Sequence, residues 1–291
     1  MIYSMTGFGK AEKTIGERTY VVEVKTLNGK QFDLQLKLPA LLKPFEFDIR
    51  NKLQETLVRG TAECIILIKQ QGSAKPVVIN TDLVKAYYNQ ISSMAADSAM
   101  DMQSVLASIL RLPEVVMPSS EVLTPEDFNT FMSVLEEATS QLQHHRQKEG
   151  LVLEQDLLQR VEKIREQETV ILSLESNRLE RIRQELGMLL EKYVGKENYD
   201  SGRMEQELVY YMEKIDIHEE QIRLRQHIEF FIETLEGKDA SKGKKLSFIL
   251  QEMGREINTT GSKAYDIDIQ KSVVSMKDEL EKAKEQVLNV L

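Results

Sequence analysis

The period of the hydrophobic pattern changes near residue 80, and this change constrains the fold more than any other feature of the chain. Before it, Leu34, Leu36 and Leu38 alternate with polar residues, and a period of two predicts a half-buried strand. Residues 19–26 and 61–69 are rich in valine and isoleucine and predict further strands, and residues 44–57 predict a helix. We therefore predict a small α+β domain over residues 1–80, with mostly antiparallel strand pairing.

After residue 80 the pattern predicts helices almost throughout. They are expected at residues 80–91 and 102–112, from Thr124 to about Tyr193 with or without a break, and from Arg203 to Leu235 after a loop. The predicted division is the α+β domain, a helical region with a long helix over residues 81–202, and a C-terminal helical domain over residues 203–291. Because a small sheet cannot bury such long helices, we expect a helical hairpin or bundle and contacts between subunits.

The last predicted helix carries a heptad pattern. Its apolar residues recur at alternating spacings of four and three: Ile269, Val273, Met276, Leu280, Ala283, Val287 and Val290. Such a seam packs on another helix, either within the subunit or across an interface. Packing within the subunit is preferred because the long hairpin supplies a partner.

The net charge of −9 argues against a protein that binds nucleic acid through its overall charge. RNA contact would need a local basic surface, and residues 237–263 supply one with a net charge of +3. Its basic residues are Lys238, Lys242, Lys244, Lys245, Arg255 and Lys263, against Asp239, Glu252 and Glu256. The alternative is a lysine-rich loop that is merely solvated.

The single cysteine excludes an intramolecular disulfide, and no apolar run approaches the roughly twenty residues of a membrane span. The N-terminal residues lack the basic and apolar regions of a secretory signal. A reducing cytoplasm is compatible with these features, and we expect no membrane partner.

Residues 251–263 concentrate polar and charged side chains where two helical patterns meet. Glu252 and Glu256 are four residues apart, so their carboxylates share one helix face. The two carboxylates could hold a divalent cation, or divide general acid and base roles, and Arg255 could bind a phosphate. The alternative is that both glutamates form surface ion pairs, with Lys245 and Arg255.

The same segment contains a Thr-Thr-Gly-Ser sequence that is typical of a turn. We predict that the first helix ends at Asn258 and that Ser262 caps the next helix. The N-terminus of that helix would then face an anion near Lys263.

A second group of titratable residues lies in the helix predicted for residues 203–235. Asp216, Glu220, Arg223 and His227 fall on one face over about three turns. An imidazole can act as a general acid or base near neutral pH. The alternative is a charged helix face with local ion pairs, in which His227 forms a hydrogen bond between helices.

Several motifs resemble those of the YicC-like family of bacterial endoribonucleases. They are SMTGFGKAE at residues 4–12, the pair Arg59-Gly60, R-x-x-E-G at residues 146–150, D-x-x-E-E-x-x-R-L-x-x-H at residues 216–227, and QEMGREINTTGSK at residues 251–263. The resemblance implies a cytoplasmic RNA-cleaving hexamer that is supported by a divalent metal. Two positions depart from the family pattern: Gly254 stands where asparagine is usual, and Lys30 where arginine is usual.

The residues and the resemblance together predict an endoribonuclease that acts as a ring-like homo-oligomer with Mn²⁺ or Mg²⁺ and has no DNA partner. The predicted catalytic residues are Glu252, Glu256, Arg255, His227 and Glu220, of which Glu252 and Glu256 are also the metal ligands. The predicted RNA-binding residues are Lys263, Arg223, Lys244, Lys245, Arg59 and Lys30.

Two chemical routes remain open. Either the 2′-hydroxyl attacks the phosphorus with help from His227 and Glu220, or a metal-activated water does so. The alternative function is a helical scaffold without catalytic activity that binds RNA or another protein.

Overall fold

A computed structural model describes residues 2–15, 18–29, 31–70, 77–94, 102–118, 123, 125–195, 200–237 and 241–291 of the chain. The prediction of an α+β fold, with an N-terminal sheet followed by long helices, is confirmed. The described strands of the main sheet are β1 (Gly7–Ile15), β2 (Arg18–Leu27), β3 (Asp33–Lys37) and β4 (Thr61–Gln70).

The main sheet has the order β1-β2-β4-β3. β2 pairs antiparallel with both β1 and β4, whereas β3 and β4 are parallel. The parallel pair is possible because the connection between them holds a 3₁₀ helix (Ala40–Phe45) and α1 (Glu46–Leu57). The pairing is therefore mostly antiparallel, as predicted.

Short elements connect the sheet to the helices. The strands β5 (Val77–Ile79) and β6 (Val116–Pro118) pair with each other and enclose the helices α2 (Thr81–Met94) and α3 (Met102–Ile109). The side chain of Asn80 accepts a hydrogen bond from the Leu83 N–H at 3.1 Å, which caps α2.

The long helix α4 (Pro125–Tyr193) runs without a break through 69 residues, or about 100 Å at 1.5 Å per residue. Thr124, where this helix is predicted to begin, lies outside the described residues. The first part of α4 buries Phe131, Leu135 and Leu142 against the sheet and α1. Its middle part buries Leu157 and Ile164 in a second apolar cluster. One helix thus connects both cores, and the predicted division at residue 202 stays a prediction.

The second cluster is completed by α6 (His218–Glu236), α7 (Gly243–Lys263) and α8 (Ile267–Val287), while α5 (Ser201–Ile215) precedes them. The single helix predicted over residues 203–235 is wrong, because the backbone at Asp216 is extended and α6 starts at His218. The Asp216 carboxylate instead accepts a hydrogen bond from the His218 N–H at 2.9 Å. Asp216 therefore precedes α6 and does not share the helix face with Glu220 and His227.

The junction between α7 and α8 also differs from the prediction. α7 continues to Lys263, and the Ser262 hydroxyl donates to the Thr259 carbonyl at 2.9 Å inside that helix. Asp266 is the cap of α8, since its carboxylate accepts from the N–H groups of Asp268 and Ile269. Neither the helix end at Asn258 nor the Ser262 cap is found.

The heptad seam of α8 packs within the chain, as preferred from the sequence. α8 lies against α4 and α7, and the seven seam residues, six in α8 and Val290 just after it, are all buried. Within the ranges that the structure describes, no helix combines the length and apolarity that crossing a membrane requires.

Candidate active site between two antiparallel helices

Three contacts fix the register of α7 against α6. The Lys263 ammonium lies 2.8 Å from Glu220 Oε1, and Gln221 Nε2 lies 3.1 Å from the Thr260 hydroxyl. At the other end, the Lys245 ammonium lies 4.8 Å from the centroid of the Phe230 ring. Residue numbers rise on one helix as they fall on the other, so the two helices are antiparallel.

This register brings most of the predicted site residues onto one helix pair. It sets His227 opposite Glu252, and Arg223 opposite Glu256, because both helices rise equally per residue. We call these residues, together with Glu220 and Lys263, the α6–α7 stripe. Two segments that the sequence shows as separate motifs therefore form one continuous polar surface.

The two carboxylates that α7 contributes to the stripe have different surroundings. Glu252 is partly exposed and accepts a hydrogen bond from Arg255 Nη1 at 3.1 Å. Glu256 is only 5% exposed, and no ion pair joins it to another described residue. The predicted surface pair of Glu252 with Arg255 is thus present, whereas Lys245 lies over Phe230 instead. The Glu256 oxygens are not among the buried atoms of the described residues that lack a partner, so solvent reaches them and a cation could bind there.

On α6, Glu220 is buried and holds Lys263 through one oxygen, while its Oε2 meets no hydrogen-bond donor among the described residues. Arg223 is exposed and pairs with Glu219 one turn earlier on its own helix. His227 is half-buried. The α6 side therefore offers one exposed cation and one imidazole to a ligand in the stripe.

The basic surface predicted for residues 237–263 is smaller than expected. Lys242 is buried, and its ammonium donates to the carbonyls of Leu235, at 2.7 Å, and Gly237. Lys242 thus satisfies the C-terminal carbonyls of α6 and cannot face RNA. Lys244 and Lys245 are exposed, while Lys238 and Asp239 lie outside the described residues.

Arg59 lies in the N-terminal domain, and no described contact joins it to the α6–α7 stripe. It follows a γ-turn in which Val58 has φ 58° and the Arg59 N–H donates to the Leu57 carbonyl at 2.6 Å. A positive φ is strained for a β-branched residue. The next residue, Gly60, has φ 104°, which explains why glycine follows Arg59. Lys30, the other RNA-binding residue predicted in this domain, lies outside the described residues.

The N-terminal motif and the R-x-x-E-G motif form one structural contact. A Cβ atom on Gly9 would lie 2.0 Å from the Ala138 carbonyl oxygen, and one on Gly150 would lie 2.1 Å from the Ile2 carbonyl oxygen. Only glycine at these positions lets the backbones of β1 and residues 2–3 approach α4 this closely. These motifs therefore attach the N-terminal segment to the long helix.

Arg146 is a buried residue of this contact to which the sequence analysis gave no structural role. Its guanidinium donates to the Met5 carbonyl at 3.2 Å and to the Leu57 carbonyl at 3.4 Å, and burial lowers its pKa. It connects the N-terminal segment to the γ-turn before Arg59. The R-x-x-E-G motif was the available signal, because a glycine inside a helical pattern usually has a packing or functional reason.

The stripe offers a divalent metal two carboxylates rather than a complete cage. No group of three or more histidine, cysteine, aspartate or glutamate side chains suited to a metal occurs among the described residues. Mg²⁺ and similar ions keep several waters and bind through one or two carboxylates plus substrate phosphates. Glu252 and Glu256 fit this kind of site.

Comparisons with known proteins agree with the resemblance seen in the motifs. Residues 2–155 match the model of the endoribonuclease YicC-like N-terminal region, and residues 171–291 match that of the YicC-like C-terminal region. A protein of Clostridioides difficile named "Probable endoribonuclease YicC" is 31% identical over 297 residues, and one of Haemophilus influenzae with the same name is 29% identical over 300 residues. Each alignment covers all of both chains. The chain therefore belongs to the YicC-like endoribonuclease family.

Proposed function

We propose that this chain is an endoribonuclease and that it cleaves RNA in the α6–α7 stripe. The observation that carries the proposal is Glu256, which is 5% exposed and has no cation among the described residues, in the same stripe as His227. A largely buried glutamate whose carboxylate oxygens stay accessible is suited to bind a cation together with a neighbouring carboxylate. The names of the relatives support the reaction class.

Phosphate groups of the RNA would meet the exposed cations of this surface. Arg223 is about half exposed and offers a planar fork of donors to a phosphate. Lys244 and Lys245 lie at the other end of α7. Lys263 is partly exposed and reaches the stripe while holding Glu220. Binding through a few local cations is what we expect of an acidic protein. Its net charge of −9 would repel RNA from the rest of the surface.

A divalent cation, Mn²⁺ or Mg²⁺, is part of the proposal. Without one, the negative charges of Glu252 and Glu256 would repel the phosphate that has to lie between the helices. Such an ion would supply charge neutralisation of the phosphate and a more acidic bound water. Glu252 and Glu256 would hold it.

The proton transfers are assigned to His227 and Glu220. An imidazole can release and accept protons near neutral pH, which suits transfer to a leaving oxygen. Glu220 has one oxygen occupied by Lys263 and one without a donor, so it could accept a proton or orient a water. Arg255 is held beside Glu252 and could stabilise charge on the phosphate.

We further propose a ring-like homo-oligomer, a hexamer, in the cytoplasm. Apolar side chains are exposed on the C-terminal end of α4 and on α5, namely Met188, Leu189, Tyr193, Val209 and Tyr210. Exposed apolar side chains of this size are candidates for burial between subunits. Light scattering should give six times the monomer mass, and a monomer mass would contradict the ring.

The activity is tested with an end-labelled structured RNA incubated with the protein in Mn²⁺, in Mg²⁺ or in EDTA. Metal-dependent cleavage is expected, and the 3′ ends of the products distinguish the two routes. A 2′,3′-cyclic phosphate that forms in EDTA would contradict a need for the metal and would favour attack by the 2′-hydroxyl. Intact RNA that is bound in every condition would favour the scaffold function.

A further inference from the structure

Two phenylalanine rings lie open to solvent at one end of the α6–α7 stripe. Phe248 is 61% exposed and Phe230 is 43% exposed. Lys245 connects them: its ammonium lies 4.8 Å from the Phe230 ring centroid, and it precedes Phe248 by one helical turn on α7. Lys244, beside it, is also exposed. The end of the stripe therefore combines two flat apolar rings with two cations, and we call these residues the aromatic end.

The aromatic end is close to the proposed reaction centre. Phe248 precedes Glu252 by four residues on α7, and Phe230 follows His227 by three on α6. Each ring is thus one helical turn, or about 5.4 Å, from the middle of the stripe. A stacked strand advances about 3.4 Å per nucleotide, so the rings lie one to two nucleotides from the bond that would be cut.

We propose that Phe230 and Phe248 form a stacking platform for unpaired bases that flank the cleaved phosphodiester. This inference rests on the proposed function, since it gives a binding site to the bases next to the phosphate that the stripe would hold. Exposed rings bind bases through their faces, and neighbouring lysines bind the backbone, which is the combination found in single-strand binding surfaces. A continuous duplex hides its base faces, so the substrate class is RNA with a single-stranded segment, with little base preference at the stacked position.

The sequence offers a direct probe of this contact because it contains no tryptophan. Phe248→Trp introduces a single indole whose emission changes when a base stacks on it. Stopped-flow mixing with a single-stranded oligoribonucleotide should quench this emission before cleavage occurs. A fully paired duplex of the same sequence, at the same concentration, should quench it much less.

Affinity measurements with matched variants test the same contact without a reporter. Phe248→Ala and Phe230→Ala should each weaken binding of the single strand about five- to hundredfold, whereas Phe248→Tyr, which keeps an aromatic face, should bind like the wild type. Phe47→Ala is the control, since Phe47 is 73% exposed on α1 in the N-terminal domain. It should leave the affinity unchanged. Circular dichroism confirms that each variant is folded.

Failure of this inference can be distinguished from failure of the proposed function. RNA that is bound and cleaved normally by Phe248→Ala, with no emission change in Phe248→Trp, would overturn the platform and leave the nuclease intact. A wild-type protein that neither binds nor cleaves RNA would contradict both the platform and the nuclease function. If Phe248→Ala instead changes the molecular mass and not the RNA affinity, the rings belong to a subunit interface and the platform is wrong.

Discussion

The Lys263 ammonium on α7 lies 2.8 Å from Glu220 Oε1 on α6, and this ion pair crosses the helix interface at one end of the stripe. The Glu220 side chain is 7% exposed and its second oxygen has no donor among the described residues. Removing the cation would leave a buried, uncompensated carboxylate, which is strongly unfavourable. Lys263 therefore has a structural role in the stripe, whether or not it also contacts phosphate.

Lys263→Met should lower the free energy of unfolding by about 1–2 kcal/mol, because Glu220 loses its cation in a nearly buried position. Urea denaturation followed by circular dichroism measures the change. The matched control is Lys271→Met, whose ammonium pairs with Asp268 on the exposed face of α8 and should change stability by less than about 0.5 kcal/mol. Equal effects of the two substitutions would show that the Lys263–Glu220 pair does not stabilise the fold more than an exposed pair does.

Gly150→Ala should destabilise the protein by roughly 3 kcal/mol or more, since the new Cβ would lie 2.1 Å from the Ile2 carbonyl oxygen and the backbone would have to move. Gly187→Ala provides the opposite case on the same helix, because nothing lies within 4 Å of its added Cβ. That substitution should stabilise α4 by about 0.5–1 kcal/mol. Thermal unfolding of both variants, compared with wild type, tests the contact, and a tolerated Gly150→Ala would contradict it.

Arg146→Lys should not rescue the loss of stability caused by Arg146→Ala. The guanidinium donates to the Met5 and Leu57 carbonyls through separate nitrogens, and a single ammonium cannot reproduce this fork. Both variants should lose about 2–4 kcal/mol in urea denaturation, because two buried carbonyls lose their donors. Wild-type stability of Arg146→Lys would mean that charge alone is needed at this position.

Asp266→Ala should cost about 1–2 kcal/mol at neutral pH, because it removes the cap of α8 and the partner of Arg181. Partial burial raises the pKa of Asp266, but hydrogen bonds from the Ile269 and Asp268 N–H groups and the pairing with Arg181 outweigh it and lower the pKa below its ordinary value. Its contribution is therefore complete above the unfolded-state pKa of about 3.9 and is lost as the pH falls through the lower folded-state pKa.

The difference in stability between wild type and Asp266→Ala should accordingly shrink in acid, as measured by denaturation between neutral pH and about pH 3. Ser262→Ala is the control, since its hydroxyl bonds only within α7 and the substitution should cost less than about 0.5 kcal/mol. A larger cost for Ser262→Ala than for Asp266→Ala would restore Ser262 as the cap.

The helix boundaries show where sequence patterns reach their limit. Thr260 and Gly261 look like a turn, yet Thr260 is buried and accepts a hydrogen bond from Gln221, and Gly261 packs against Val273. These tertiary contacts override the weak local preference and extend α7. The break before α6 was missed because the local sequence carries no strong turn signal there. No glycine or proline marks it, and the available signal was the two-residue step between the buried Ile215 and Ile217, which interrupts the helical spacing.

The candidate site was predictable in part. The spacing of Glu252 and Glu256, and of Glu220, Arg223 and His227, gave the correct face of each helix because side-chain direction follows from periodicity. These two faces meet because α6 and α7 pack antiparallel in one register. Contacts between residues far apart in the sequence set that register, so the sequence pattern does not reveal it. The strand β1 was missed since its glycines interrupt the alternation, and those glycines serve the contact with α4.

The most direct test of the central claim is the cleavage rate of a labelled RNA, measured at saturating enzyme, for two double variants with the same loss of charge. Glu252→Gln/Glu256→Gln removes both carboxylates of the stripe, and Glu281→Gln/Glu285→Gln removes two exposed carboxylates with the same spacing on α8. We predict that the first variant, while folded, loses at least about a hundredfold in rate and that the second cleaves like wild type. Normal cleavage by the first variant would place the chemistry outside the α6–α7 stripe.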